Sequence, residues 1–186
     1  SKADGEKAAF ANPLVKSTVF RPSVVFGEDD RFLNMFASMQ KYFPIIPLAG
    51  AGAKFQPIYV QDVAQAMVNA LGNDHTIGQV YALVGPTIYT LSDLVKLAGI
   101  YSGHPRPVLP LSLSLGRLQA WLLEHAPGEP LMSRDNLDSM QSDNVSQAPI
   151  AAELGIRPVS LESVAPYYLA ISNRHTLPKA VVIHPK

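Results

Sequence analysis

Apolar positions fall into two alternating patterns along the chain, one with a helical period and one of short β-branched runs. Residues 2–11 carry Ala, Glu and Lys at helix-favouring positions with no β-branched residue, and Asn12-Pro13 stops the run, which predicts a helix already under way at residue 1. Residues 17–26 are rich in Val, Thr and Phe, and the Arg21-Pro22 step within them predicts a strand ending near Arg21 with a functional or turn segment beyond it. Gly27-Glu28-Asp29-Asp30 follows as a charged turn. Phe32, Met35, Phe36, Met39 and Phe43 then recur every 3 to 4 positions and predict an amphipathic helix over 31–43 ended by Pro44, its aromatic and Met stripe facing a core.

Further along, 45–48 and 55–60 are expected to be short strands. The second leads directly into a helix over 61–71 whose apolar face is expected at Val63, Ala64, Met67, Val68 and Leu71, with Asp62 as its cap. A strand over 79–84, a Gly85-Pro86 turn and a helix to Tyr101 come next, the helix opened by the capping-box-like Thr90-Leu-Ser-Asp93. A helix over 111–125 places Leu113, Leu118, Trp121 and Leu122 on one side; shorter helices are expected at 133–140 and 150–154, a last one from Ser160 to Ile171, and a frayed tail from Asn173.

Strand and helix alternate without repeats or heptads, which is the pattern of a parallel-sheet α/β protein. The chain nevertheless opens on a helix and offers few strong strands, so the sheet it joins is expected to lack its first members. A length of 186 residues suits one domain, or one domain with a small lobe. The 15 basic and 15 acidic residues are scattered, leaving no electrostatic footprint for nucleic acid. Cysteine is absent, which removes disulfides and thiolate metal sites and is compatible with a reducing compartment. The five histidines stand far apart with no i, i+4 pair, so no metal is expected. The 16 prolines cluster at 105–110 and 127–130, which are read as loops. Ser1 reads as an internal residue, and the longest apolar stretch is interrupted by polar residues short of the roughly 20 that a membrane span needs, so a soluble protein is expected. Gly50-Ala-Gly52 invites a phosphate-loop reading, but it lacks the third glycine and following helix of a dinucleotide turn and is taken as a plain turn.

Three local patterns together resemble the extended and atypical short-chain dehydrogenase/reductase superfamily, the NAD-dependent epimerase/dehydratase group. Ser1-Lys2-Ala3-Asp4-Gly5-Glu6 looks like the end of that group's Tyr-x-x-x-Lys motif, with Lys2 as the lysine and the tyrosine three residues before Ser1. Thr18-Val-Phe-Arg-Pro-Ser-Val-Val-Phe-Gly27 resembles its strand followed by Arg-Pro and an aromatic-Gly turn, and Phe55-Gln-Pro-Ile-Tyr-Val-Gln-Asp-Val-Ala64 its strand, Val-x-Asp-Val-Ala turn and helix. With Asp30-Arg-Phe-Leu-Asn34 and Arg134-Asp-Asn-Leu-Asp-Ser-Met140 added, the combination is similar to the bacterial and mitochondrial relatives of the complex I alpha-subcomplex subunit nine, over roughly residues 1–165.

The resemblance implies the C-terminal part of a Rossmann-type NAD(P)-binding α/β fold with its small substrate-side lobe. Residues 1–30 would supply a helix and strand of the Rossmann domain, 31–172 the lobe with elements packing back on the sheet, and 173–186 a tail. It further implies NAD or NADP as cofactor of a longer parent, with Lys2 in the acid-base pair and holding the nicotinamide ribose. Pro22, Ser23 and Val24 would stand beside the cofactor, and Arg21 and Arg31 on the substrate side; Arg21 also has a plain reading as a structural ion-pair residue. Implied partners are the dinucleotide and a respiratory complex I or membrane-associated partner, with no nucleic acid. The implied place is cytoplasmic, at the periphery of a bacterial inner membrane, or the mitochondrial matrix side. The alternative is an active NAD(P)-dependent sugar-nucleotide epimerase, dehydratase or reductase. In either case the chain alone is expected to be inactive.

Overall fold

The computed structural model describes residues 2–12, 14–112, 144–146, 148 and 150–172, with backbone alone for 2, 3, 171 and 172. Stretches 113–143 and 173–186, which contain most of one expected helix, all of another, the loop at 127–130, the Arg134 to Met140 motif and the tail, lie outside the described residues. In chain order the elements are α1 (Lys2–Ala11), β1 (Val19–Pro22), β2 (Val25–Phe26), α2 (Arg31–Tyr42), β3 (Ile46–Ala49), β4 (Lys54–Phe55), β5 (Ile58–Tyr59) and α3 (Val60–Leu71). Then follow β6 (Val80–Leu83), β7 (Tyr89–Thr90), α4 (Leu91–Tyr101), β8 (Val108–Leu111) and α5 (Leu161–Ser172), with single 3-10 turns at Asp74–Thr76 and Ala152–Leu154.

Among the described residues three of the four strand pairs are parallel. β1 lies beside β6 with Val19 opposite Val80 and Pro22 opposite Leu83, β2 beside β5, and β3 beside β8, while β4 and β7 run antiparallel. Parallel neighbours need a crossover, and α3 supplies it before the chain returns as β6. Its Val63, Ala66 and Ala70 pack on Ile58, Tyr81, Leu83 and Leu154, forming one core. A second, larger core joins α2, α4 and α5 around Phe26, Leu33, Phe36, Leu48, Leu94 and Leu169.

Local chemistry sets the helix ends. Asp30 caps α2 by accepting from the Leu33 N–H at 2.6 Å, and α4 has a reciprocal capping box between Thr90 and Asp93. α2 and α4 approach closely at Gly99, where a Cβ would lie 2.1 Å from Oε1 of Gln40. Gln40 is fully buried, donating to the Val95 carbonyl at 2.7 Å and accepting from the Arg106 N–H at 3.2 Å.

Four expectations are corrected. α3 buries Val63, Ala66 and Ala70, whereas Met67, Val68 and Leu71 are 42%, 61% and 89% exposed. Gln61, Asp62, Gln65 and Asn69 gather on one side and leave a wide apolar arc, so periodicity does not say which flank of that arc turns inward, and the small alanines on one flank allow the closer approach to the strands. Asp62 is the third residue of α3 and not its cap: Tyr59 holds the cap position without a side-chain bond, and Asp62 Oδ2 accepts from the Val159 N–H at 2.7 Å. The run 55–60 is broken at Gln56-Pro57, so that β4 pairs with β7 and β5 with β2. The proline-rich 105–110 is not all loop, since Val108 to Leu111 form β8 with Pro110 inside it; β8 pairs with β3 alone among the described strands, the edge position at which a proline costs no ladder bond.

Candidate functional site

In open α/β sheets ligands bind beyond the carboxyl ends of parallel strands. Here β1 ends at Pro22 and β6 at Leu83, and the segments that leave them are clasped together. The Ser23 N–H donates to the Leu83 carbonyl at 2.9 Å; its hydroxyl donates to the Asn144 carbonyl at 3.1 Å and accepts from the Gln56 N–H at 3.3 Å. Gln56 extends the clasp, with Nε2 donating to the Gly85 carbonyl at 2.9 Å and Oε1 accepting from the Ser146 N–H at 3.0 Å. Gly85 is required by this closeness, because a Cβ there would fall 1.8 Å from the Pro57 carbonyl oxygen.

The residues singled out in the sequence are distributed around this end. Pro22 closes β1 and is exposed; Ser23 is 6% exposed, its hydroxyl committed to the clasp; Val24 is half-buried and its carbonyl accepts from the Ile58 N–H at 2.9 Å. Lys2 opens α1, and only its backbone is described. One turn further along α1, Glu6 receives both Nε and Nη2 of Arg21, which ties β1 to α1. The hydrogen bond from Arg21 holds the Glu6 carboxyl below the usual carboxylate range and raises the guanidinium in turn. Arg31 opens α2 at the exposed surface, beside the Asp30 cap.

Sequence reasoning missed the contacts of Gln56 and Asn144 and the place of Arg157 on a cleft. Gln56 lay inside a quoted motif, but nothing local marked it as a clasp; Arg157, alone before a proline, carries no pattern at all. Beside the clasp a cleft of about 400 Å³ opens between Val84-Gly85-Pro86 and the returning Ile156-Arg157-Pro158. Among the described residues no cluster of His, Asp or Glu could hold a metal ion, and no helix is long and apolar enough to cross a membrane.

The parallel strand pairs and the helical crossover between them define the class, a Rossmann-type α/β fold, which solved structures share. The solved UDP-glucuronic acid 4-epimerase of Bacillus cereus, in complex with UDP-glucuronic acid and NAD, superposes with a TM-score of 0.59 at 18% identity, covering 95% of this chain and 52% of that one. No family model matches the chain. Mouse (Mus musculus) mitochondrial NADH dehydrogenase (ubiquinone) 1 alpha subcomplex subunit 9 is 35% identical over 169 residues, 87% of this chain and 44% of that protein. The mitochondrial NADH-ubiquinone oxidoreductase 40 kDa subunit of Neurospora crassa is 29% identical over 173 residues, 91% of this chain and 44% of that protein. The chain is homologous over most of its length to the complex I alpha subcomplex subunit 9 proteins. It spans less than half the length of these relatives.

Proposed function

We propose that the chain is part of an NAD(P)-binding protein that serves a respiratory NADH dehydrogenase complex, in its assembly or in a quinone-linked role. The observation that carries this reading is the 35% identity to the mouse complex I subunit across 87% of the chain. Residues 1–30 contribute a helix and strand to the nucleotide-binding sheet, and the substrate-side lobe, drawn from 31–172, returns α3 and β6 to that sheet. The cofactor, NAD or NADP, lies beyond the carboxyl end of β1, with Lys2 toward its ribose and Pro22, Ser23 and Val24 beside it. Ser23 shapes the wall there without donating to the cofactor, since its hydroxyl is engaged by Asn144 and Gln56 and its N–H by Leu83. Arg21 and Arg31 face the substrate side. The protein sits on the matrix side of the inner mitochondrial membrane or at the periphery of the corresponding bacterial membrane.

A second reading, an NAD(P)-dependent sugar-nucleotide epimerase, dehydratase or reductase, has the fold match to the NAD-bound epimerase in its favour. Native electrophoresis of mildly solubilised membranes from cells producing a tagged protein separates the two. Co-migration with the NADH dehydrogenase complex, and loss of assembled complex on deletion, is expected. Migration as a free protein, with turnover of sugar nucleotides in the eluate, would establish the second reading and remove the first.

A further inference from the structure

The cleft of about 400 Å³ beside the Ser23 and Gln56 clasp falls in the size range of small-molecule sites, roughly 300–1,000 Å³. Val84, Ile150, Ile156 and Pro158 give it apolar walls. Gln56 forms part of its lining, but both ends of that amide are already bonded within the protein, so it offers an approaching ligand little. Among the described residues Arg157 is the sole charged one on the lining. It is exposed, and no hydrogen bond or ion pair joins it to any described residue.

The carboxylate best placed in sequence to neutralise Arg157 is Glu153, four positions earlier, yet Glu153 Oε1 instead accepts from the Tyr81 hydroxyl at 2.8 Å. Between them Gly155, at φ 60°, turns the chain out of the 3-10 turn and lays Ile156-Arg157-Pro158 along the cleft. The result is an apolar trough at the carboxyl end of a parallel strand, lined by one guanidinium that no described residue pairs. A neutral hydrocarbon would leave that cation unused and an inorganic anion would leave the walls unfilled, whereas a molecule with an apolar body and one anionic head satisfies both.

We propose that this cleft binds a small amphipathic anion, its apolar body between Val84, Ile150 and Ile156 and its carboxylate or phosphate head on Arg157. The site is built from this chain's own residues, at the same strand ends beside which the dinucleotide is proposed to lie, and its test uses neither dinucleotide nor respiratory partner.

The test uses the full chain, isotopically labelled, titrated with octanoate, octyl phosphate and octan-1-ol while the methyl signals of Val84, Ile150 and Ile156 are followed. Saturable shifts at these three residues are expected, with the better of the two anions binding about tenfold more tightly than the alcohol, as a charge-assisted head-group contact implies; which anion leads identifies the head. Arg157→Gln should bring the anions to the level of octan-1-ol, and Arg157→Lys should retain most of the preference. Because Arg157 is exposed, neither change threatens the fold. Equal affinity for the alcohol and both anions, unchanged anion binding in Arg157→Gln, or shifts that never saturate would each overturn the proposal.

Discussion

The hydroxyl of Tyr168 in α5 donates to Oδ2 of Asp30 at 2.7 Å, and Asp30 is the residue whose other oxygen caps α2. One carboxylate thus fixes the start of one helix and the seat of another 138 positions away. Tyr168 is 7% exposed, so an oxygen without its partner is left where water reaches it poorly. Tyr168→Phe is expected to cost about 1–2 kcal/mol, and Asp30→Ala, which also removes the cap, about 2–4 kcal/mol. Urea unfolding of both single variants and the double variant tests the coupling: the double variant should lose less than the sum of the two.

The same contact predicts how stability responds to alkali. Burial, followed by the hydrogen bond to Asp30, raises the Tyr168 phenol above its ordinary value of 10.0; burial and the bond to Glu162 raise Tyr89, and burial leads the upward shifts of Tyr81 and Tyr101. A group whose folded-state pKa is raised stabilises the fold fully below its unfolded pKa and loses that contribution as pH rises toward the folded value. The urea midpoint should therefore fall as pH climbs above about 10. Tyrosinate absorbance should lag behind that of the unfolded chain, and Tyr168→Phe should flatten the decline; a midpoint that is constant to pH 11.5 would contradict the linkage.

How much of this was legible depends on how far apart the interacting residues lie. α2 and the α4 capping box were readable because their signals are local: an apolar stripe every 3 to 4 residues, and Thr90 three positions from Asp93. The resemblance motifs placed the end of β1 near Arg21-Pro22 but ran Gln56 and Pro57 into a continuous strand. They did not disclose that the Ser23 hydroxyl is engaged by Gln56 and Asn144, which stand 33 and 121 positions away. Nor could pattern alone orient α3, where Val63, Ala66 and Ala70 compete with an equally apolar Ala64, Met67, Val68 and Leu71. Tertiary approach distance decided between them, and that quantity is not written in any window of sequence.

Two glycines differ in what an added methyl would meet. At Gly85 the obstacle is the Pro57 backbone carbonyl, 1.8 Å from the Cβ position, and backbone held by the clasp has nowhere to go. At Gly99 it is the Gln40 amide, which would have to abandon its bonds to Val95 and Arg106. Gly99→Ala should cost about 1–3 kcal/mol, and Gly85→Ala that upper end or more. Thermal melts rank them, and a Gly85→Ala variant as stable as the parent chain would show that the two segments do not lie so close.

Dinucleotide affinity offers a separate check on the chain by itself. Gly50 and Gly52 lie in the turn between β3 and β4, with Gly50 at φ 65°, and no helix follows them. Among the described residues there is therefore no glycine-rich strand-to-helix turn to receive a pyrophosphate on a helix N-terminus. Calorimetric titration of the chain with NADPH is expected to give no measurable heat of binding at micromolar concentrations, and saturable binding there would require a phosphate site of another kind.

α3 leads to a prediction about association. Val60, Ala64, Met67 and Leu71 are spaced 4, 3 and 4 apart, the interval of a helix-packing seam, and together with Val68 they lie on the exposed side. The helix has one charged residue, Asp62, which lies on the side away from this seam and is held by the Val159 N–H, so no charge of α3 stands within the seam. Beside it, β1 pairs with β6 alone among the described strands, although parallel strands are ordinarily flanked and covered. Sedimentation velocity over about a hundredfold concentration range should show reversible self-association of the isolated chain. Val68→Glu with Leu71→Lys should shift it toward monomer while changing the urea midpoint little, since both side chains already face water and exposed substitutions usually alter stability by no more than about 0.5 kcal/mol. A chain that is monomeric at every concentration would mean that this apolar seam tolerates solvent unaided. Association that survives both substitutions would move the contact to the open β1 edge, where a Phe20→Pro variant, which removes a strand N–H, would be the next variant to separate the two surfaces.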